Sequence, residues 1–182
     1  MKKEIKRISF SELKNWKERP FRHKLIYIYK LPHFEGNEYT AFGTAIHAVC
    51  EQTIPNVSKH PMKVFEKTFL DELKILTDNG KQTNTELIAE MRKQAVPICE
   101  QVLPSVRKHF GNFEVISVEE EILEPLTEFN SFDKKFKGFI DMVIKTPDQK
   151  YHIIDWKTCS WGWSKDKKSD PMTNYQLTYY KN

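Results

Sequence analysis

The stretch Ile154-Asp155-Trp156-Lys157-Thr158 decides the fold of this chain, together with Gly138-Phe139-Ile140-Asp141 just upstream. Each stretch lies in a short apolar run, residues 136–144 or residues 151–158, of the kind that forms strands. The link between the runs, Thr146-Pro147-Asp148-Gln149-Lys150, is rich in turn formers and predicts a hairpin. If the hairpin is symmetric about Asp148, Asp141 lies directly opposite Asp155.

This pairing gathers three charged side chains on one surface of the sheet. Residues directly opposed in a hairpin share a face, and so do residues two apart on one strand, so Asp141, Asp155 and Lys157 project together. Two carboxylates in apolar surroundings repel each other and are costly to desolvate, and a divalent cation relieves that cost. A neighbouring lysine can position a water or stabilise a negative transition state. The combination indicates metal-assisted attack on a phosphodiester.

Composition places the chain among soluble globular proteins. It has 182 residues, of which 39% are apolar and 30% are charged, so we expect one domain with a core of its own. No long apolar run predicts a membrane span, and the N-terminus does not read as a secretory signal. Three separated cysteines argue against a disulfide framework or a cysteine zinc site and favour a reducing compartment, so we expect a cytoplasmic protein. The net charge of +4 is compatible with a nucleic-acid partner.

The order of predicted elements divides this domain into a mainly helical part, residues 1–111, and a sheet core, residues 112–182. Ser9 is predicted to cap a helix that stops before Pro20. Thr83, in a second capping box, is predicted to open a long helix that Pro97 and Pro104 kink or divide. Other helices are predicted over residues 41–52, 61–76 and 172–182, a strand over 113–123, and a polar loop over 160–171. The result is an α/β fold with helices packed on a sheet.

Two more motifs accompany the hairpin, and together they carry a family resemblance. Gly43-Thr44-Ala45-Ile46-His47 places a histidine on a predicted helix, and Gln176-Leu177-Thr178-Tyr179-Tyr180 lies on the last one. With the two hairpin stretches, they resemble the RecB-like branch of the PD-(D/E)XK nucleases. That branch has a histidine after a glycine, a GxxD strand, a (D/E)xK strand and a QxxxY helix in this order. The segment from Ser9 to Pro20 also resembles the N-terminal segment of the branch.

The resemblance implies a restriction-endonuclease-like core, with a central mixed sheet, flanking helices and a helical N-terminal half. It implies that His47, Asp141, Asp155 and the backbone carbonyl of Trp156 bind the metal and that Lys157 is the catalytic lysine. Gln176 and Tyr180 would lie near the DNA backbone, and Ser9 is a further candidate DNA contact. The cofactor would be Mg²⁺ or Mn²⁺, since carboxylates suit magnesium and an imidazole ligand shifts the preference toward manganese.

The activity implied by the resemblance is hydrolysis of DNA, most often from an end. The setting would be recombination, repair or phage replication, in the cytoplasm of a bacterium or a phage-infected cell. A recombination or replication protein is a possible partner. The rivals are a restriction-like endonuclease with the same core, and a non-catalytic DNA-binding or structural subunit that keeps the fold.

The chain also departs from relatives in two places. Some relatives hold an iron–sulfur cluster with four cysteines, one of them just before a proline of the N-terminal segment. Here Arg19 precedes Pro20 and no cysteine follows Tyr180, so no cluster is expected. The sequence stops at Asn182, soon after the QxxxY motif, whereas members of that branch usually continue the helix, so three alternatives stay open: a domain of a longer protein, a truncated chain or a minimal version.

Several residues keep two interpretations. Glu51 and one member of the acidic run Glu119, Glu120 and Glu121 are additional candidate ligands, although solvated surface charges are favoured for all of them. Trp161, Trp163 and Lys165 either contact nucleic acid by stacking and charge, or belong to a loop whose rings pack on the domain. The basic residues around Trp16 are interpreted as a solvated helix face.

Overall fold

A computed structural model of the protein describes residues 6–32, 35–125, 134–159, 162, 164–169 and 171–181. Helices and strands combine in a mixed α/β arrangement whose N-terminal half is mainly helical, as the sequence predicts. Along the chain the elements are β1 (Lys6–Ser9), α1 (Phe10–Glu18), α2 (Pro20–His23), a π-helical turn (Lys24–Ile28), α3 (Glu38–Thr53), α4 (Pro61–Asp78), α5 (Thr85–Phe110), β2 (Glu114–Pro125), β3 (Lys134–Lys145), β4 (Tyr151–Ile154), α6 (Lys165–Ser169) and α7 (Pro171–Lys181).

The strands of the described residues form a mixed sheet in which β3 pairs with β1, β2 and β4. β1, which the sequence analysis did not anticipate, runs parallel to β3 and places Ile8 beside Phe136. β4 is antiparallel to β3, with Met142 paired to Ile154, so the predicted register is confirmed. The strand prediction for residues 155–158 is wrong. The backbone N–H of Trp156 donates to the Asp141 carboxylate instead of continuing the ladder.

The hairpin turn between β3 and β4 fixes this register. The N–H of Gln149 donates to the carbonyl of Thr146 at 2.9 Å, and the N–H of Thr146 donates to the carbonyl of Lys150 at 2.9 Å. Pro147 supplies the φ angle that the second position of a type I turn requires. Gln149 has a φ of 65°, the left-handed residue that follows such a turn in a three-residue hairpin loop.

The chain separates into two compact units. The first consists of Met1–Phe34, Glu119–Ile140 and Trp161–Asn182, and the second of Glu35–Val118 and Asp141–Ser160. β2 and β3 each contribute residues to both units. In β2 the alternation of exposed and covered residues breaks where Glu119 takes a φ of 49°. A non-glycine residue with positive φ inside a strand indicates a bulge. That the whole chain acts as a single nuclease domain stays a prediction.

The core of the second unit is built on α3, α4 and α5. The predicted stripe of α4 is confirmed, because Phe65, Phe69, Leu73 and Leu76 are all buried. The rings of Phe42 and Phe69 meet edge to face with centroids 6.2 Å apart. Each fully buried phenylalanine contributes about 1.5–3 kcal/mol to stability. This packing holds α3, the helix that carries His47, firmly in place.

α5 corrects the predicted cap and excludes one of the two effects predicted for its prolines. Its cap is Asn84, whose side chain accepts the N–H groups of Glu86 and Leu87, and not Thr83. The helix is also undivided, although Pro97 and Pro104 lie inside it. Both prolines are exposed. The carbonyls that lose their helical bonds therefore face water, and the opposite face of the helix stays packed.

In the first unit, the side chain of Ser9 accepts the N–H of Glu12 at 3.2 Å, so the predicted cap of α1 is confirmed. α1 ends at Glu18, before Pro20, as predicted. The loop predicted over residues 160–171 contains α6 instead. None of the helices in the described part of the chain combines the length and the apolar character that a bilayer span requires.

Candidate active site

Asp141 is the centre of the candidate site in the second unit. It lies on β3, is buried, and accepts the backbone N–H of Trp156 on Oδ2 at 2.7 Å. The N–H is available because the chain leaves the ladder after Ile154. A hydrogen bond this short between a backbone amide and a carboxylate fixes the orientation of the carboxylate. No pattern in the sequence predicts this bond, because it depends on where β4 ends.

His47 reaches the same carboxylate from α3. Its Nδ1 lies 3.5 Å from Asp141 Oδ2, and about a quarter of its side chain is exposed. Gly43, one turn earlier, lies against the segment after β4: a Cβ at this position would be 3.1 Å from Thr158 Oγ1. The glycine of the Gly43–His47 motif therefore allows the helix to approach the segment that carries Asp155 and Lys157 closely.

Asp155 and Lys157 form an ion pair, with Asp155 Oδ2 2.5 Å from Lys157 Nζ. The carboxylate is largely covered, whereas the lysine side chain is 44% exposed. A second Asp-x-Lys triplet occurs in the same hairpin, where Asp148 Oδ2 lies 2.6 Å from Lys150 Nζ. That pair lies at the turn, and both of its side chains are exposed. The triplet alone therefore does not define a site, and the proximity of Asp141 distinguishes Asp155 and Lys157.

The surroundings raise the pKa of Asp141. Burial is the main cause, and the negative charge of Asp155 adds to it. The Trp156 N–H, His47 and Lys157 act in the opposite direction because they favour the ionised carboxylate. The two aspartates and Lys157 are thus close enough to influence one another.

The donor set fits a divalent cation. Asp141 and His47 offer ligand atoms close enough to share one ion. Their 3.5 Å separation is near the distance of about 3 Å between adjacent ligands of an octahedral ion with bonds of about 2.1 Å. Asp155 is a second carboxylate of the same unit, and its negative charge acts on Asp141. Carboxylates with one imidazole suit Mg²⁺ or Mn²⁺ better than a thiolate-preferring metal.

The Gln176–Tyr180 motif is organised within the first unit, on α7. Gln176 Nε2 donates to the Tyr180 hydroxyl at 2.9 Å. The Tyr180 ring lies directly over Gly138, where an added Cβ would be only 2.5 Å from ring carbon Cε1. The tyrosine of the QxxxY motif therefore packs against the glycine of the GxxD motif. Sequence reasoning missed this contact, although a glycine inside a strand indicates close approach by another group.

The remaining candidates have varied surroundings. The Ser9 side chain caps α1, and Glu121 is paired with Lys137 at 2.9 Å. Glu51 lies one turn after His47 on α3, and Lys165 is exposed at the start of α6. Trp161 and Trp163 lie outside the described residues. The functional roles of all these residues stay predictions.

Comparison with known families identifies the class of protein. The family model of the PD-(D/E)XK nuclease superfamily matches residues 7–181. The chain therefore belongs to the PD-(D/E)XK nuclease superfamily. Comparison with curated proteins and with solved structures gives no significant match.

Proposed function

We propose that the protein is a metal-dependent DNA nuclease, an exonuclease of the RecB-like kind that hydrolyses phosphodiester bonds from DNA ends. The observation that supports the proposal is that His47 contacts Asp141, while the charges of the ion pair Asp155–Lys157 act on the same Asp141 carboxylate. An imidazole, two carboxylates and an ammonium group, brought from α3, β3 and the segment after β4, are the groups that cation-assisted phosphoryl transfer needs.

His47, Asp141 and Asp155 would hold the cation, with the carbonyl of Trp156 as a further ligand. A divalent cation bound there would polarise the phosphate and lower the pKa of a water. The Trp156 N–H keeps the Asp141 carboxylate in one orientation, so the site needs little rearrangement. Asp155 holds Lys157, whose exposed ammonium can stabilise the negative charge that develops on the phosphate.

The test is a timed digestion of linear duplex DNA labelled at either end, with Mg²⁺ or Mn²⁺. Wild-type protein, Asp155→Ala and Lys157→Ala are run together. We expect loss of cleavage in both variants, since removing one such electrostatic group typically lowers the rate by at least about 10²-fold. EDTA should abolish cleavage by the wild type. Covalently closed circular DNA run in parallel should remain intact if the enzyme requires ends.

The hairpin supplies matched controls. Asp148→Ala and Lys150→Ala remove the same two side chains from the other Asp-x-Lys ion pair, at nearly the same distance. Both controls should digest DNA at the wild-type rate. Cleavage by Asp155→Ala and Lys157→Ala at that same rate would show that the site lies elsewhere. Tight DNA binding without turnover in either metal would favour a non-catalytic subunit.

The proposal extends to features beyond the cleavage centre. Gln176, Tyr180 and Ser9, with the segment from Trp161 to Lys165, are proposed to contact DNA. No iron–sulfur cluster is expected, because Arg19 occupies the position before Pro20. The proposed setting is recombination, repair or phage replication in a bacterial cytoplasm, with a partner protein of that machinery.

A further inference from the structure

An exposed surface of the first unit combines aromatic rings with positive charge. Residues 14–30 contain six lysines and arginines and one carboxylate, while the whole chain has a net charge of only +4. This segment therefore accounts for the positive excess of the protein. Phe21 is 74% exposed, Trp16 60% and Tyr29 55%. We name this the aromatic–basic surface and define it by Trp16, Lys17, Arg19, Phe21, Arg22, Lys24 and Tyr29.

Cations of this surface lie beside rings. Lys24 Nζ is 5.2 Å from the centre of the Tyr29 ring, and Lys17 Nζ is 5.4 Å from the centre of the Tyr175 ring. Tyr175 is exposed and directly precedes Gln176 on α7. The surface therefore reaches the helix whose Gln176 and Tyr180 are proposed to contact DNA.

The segment is also held in a defined shape. Glu12 and His23, both largely covered, meet at 3.2 Å and join α1 to α2. The His23 ring stacks on Tyr27 with centroids 5.1 Å apart. The exposed rings are thus presented by a folded segment with internal contacts, which lowers the entropy lost when a ligand binds.

We propose that the aromatic–basic surface binds a single-stranded stretch of the DNA substrate. Exposed rings serve unpaired bases, which can stack on them, whereas the bases of a duplex are stacked on each other. The surrounding lysines and arginines match the charge of a phosphate backbone. The inference rests on the proposed function, because it names the form of DNA that the nuclease engages. It replaces the interpretation of these residues as a merely solvated helix face.

The test is fluorescence anisotropy of a labelled oligothymidine of about 20 nucleotides, in EDTA so that nothing is cleaved. Trp16→Ala/Phe21→Ala should weaken binding by at least about tenfold, because each of the two stacked bases contributes about fivefold or more. Arg19→Glu/Arg22→Glu should weaken binding and lower the slope of log affinity against log salt by about 1.4, the value for two lost phosphate contacts. An unlabelled duplex should compete poorly.

Matched controls come from the second unit. Tyr151→Ala removes an exposed ring that also has a lysine beside it, Lys145 at 5.4 Å. Lys74→Glu/Lys93→Glu changes the same charge at two exposed helix positions. Both controls should bind within about twofold of wild type. Circular dichroism checks that each variant is folded, which we expect because the substituted side chains are exposed.

Three results would overturn the inference: wild-type affinity in both surface variants, equal competition by duplex, or a preference of more than about tenfold for oligouridine over oligothymidine. If Trp16→Ala/Phe21→Ala lowers the molar mass of the protein in solution and leaves oligothymidine binding unchanged, the surface is instead a contact with a second copy of the chain. Asp155→Ala separates the two proposals. Loss of cleavage with retained oligothymidine binding supports both. If the wild type binds oligothymidine but never cleaves DNA, only the proposed nuclease activity is refuted. If the surface variants cleave DNA and bind oligothymidine with normal affinity, only the proposed role of the aromatic–basic surface is refuted.

Discussion

Gly138→Ala is expected to destabilise the protein through one contact, the Tyr180 ring. The added Cβ would lie 2.5 Å from Tyr180 Cε1, 3.2 Å from Cζ and 3.3 Å from the hydroxyl oxygen. Carbon atoms in contact are ordinarily about 3.5–4.0 Å apart, so the ring must retreat by about 1 Å or more. Overpacking of this kind costs about 1–3 kcal/mol, and movement of the ring also endangers its hydrogen bond with Gln176. At about 2–4 °C per kcal/mol, the melting temperature falls by several degrees.

A double-mutant cycle in urea isolates this contact. Gly138→Ala is measured in the wild-type background and again in a Tyr180→Ala background, where the ring is gone. We expect the free energy of unfolding to fall by about 1–3 kcal/mol in the first case and to change by less than about 0.5 kcal/mol in the second. An equal loss of stability in both backgrounds would refute the reasoning, because the cost would then come from the strand and not from the tyrosine.

Gly43→Ala provides a contrasting control on α3. Its Cβ would meet only the Thr158 hydroxyl, at 3.1 Å, and Thr158 is an exposed side chain that can rotate away. Replacing glycine by alanine inside a helix favours folding by up to about 1 kcal/mol. We therefore expect the free energy of unfolding to stay the same or rise, the opposite of the result for Gly138→Ala. A loss above about 1 kcal/mol would mean that Thr158 is rigidly held.

Two further predictions concern titratable groups. Burial raises the pKa of the Cys50 thiol to about 12, so iodoacetamide at pH 8 should alkylate exposed Cys159 and leave Cys50 unmodified. Peptide mass spectrometry follows both reactions, and alkylation of the two thiols at the same rate would contradict the burial of Cys50. Hydrogen bonding and charge from Lys150 hold the pKa of Asp148 at about 2, so its contribution to stability is present above the ordinary value of about 3.9 and is lost as pH falls through about 2. The difference in melting temperature between wild type and Asp148→Asn should therefore disappear in strong acid, and a constant difference would contradict this pH dependence.

Much of the fold followed from local patterns in the sequence. Capping by Ser9 and the four-residue spacing of Phe65, Phe69 and Leu73 predicted α1 and α4, because both patterns depend on residues close in sequence. β1 was missed since four residues give little periodicity, and its partner Phe136 is far away along the chain. Whether the prolines divide α5 stayed open in the sequence, because the effect of Pro97 depends on whether the freed carbonyl faces water, which is a property of packing.

The candidate site shows the same division. The symmetry of the hairpin correctly predicted the register in which Met142 pairs with Ile154, because turn length and strand alternation are readable from residues 136–158. The sequence could not reveal that Trp156 turns its N–H onto Asp141, since this depends on the end of β4. It also could not reveal what Gly138 accommodates, because the tyrosine arrives from a helix more than 30 residues later.

The turn from Thr146 to Lys150 constrains how the length of this chain can vary. Because side chains alternate between faces, loss of one residue from the turn would move the pairing by one step and send Asp155 to the opposite side from Asp141. Exposed loops usually tolerate gain or loss of residues freely. Here the number of residues in the turn decides on which side Asp155 lies relative to Asp141. Among related chains, this hairpin should lengthen or shorten by two residues at a time, or by one residue only when a bulge restores the phase.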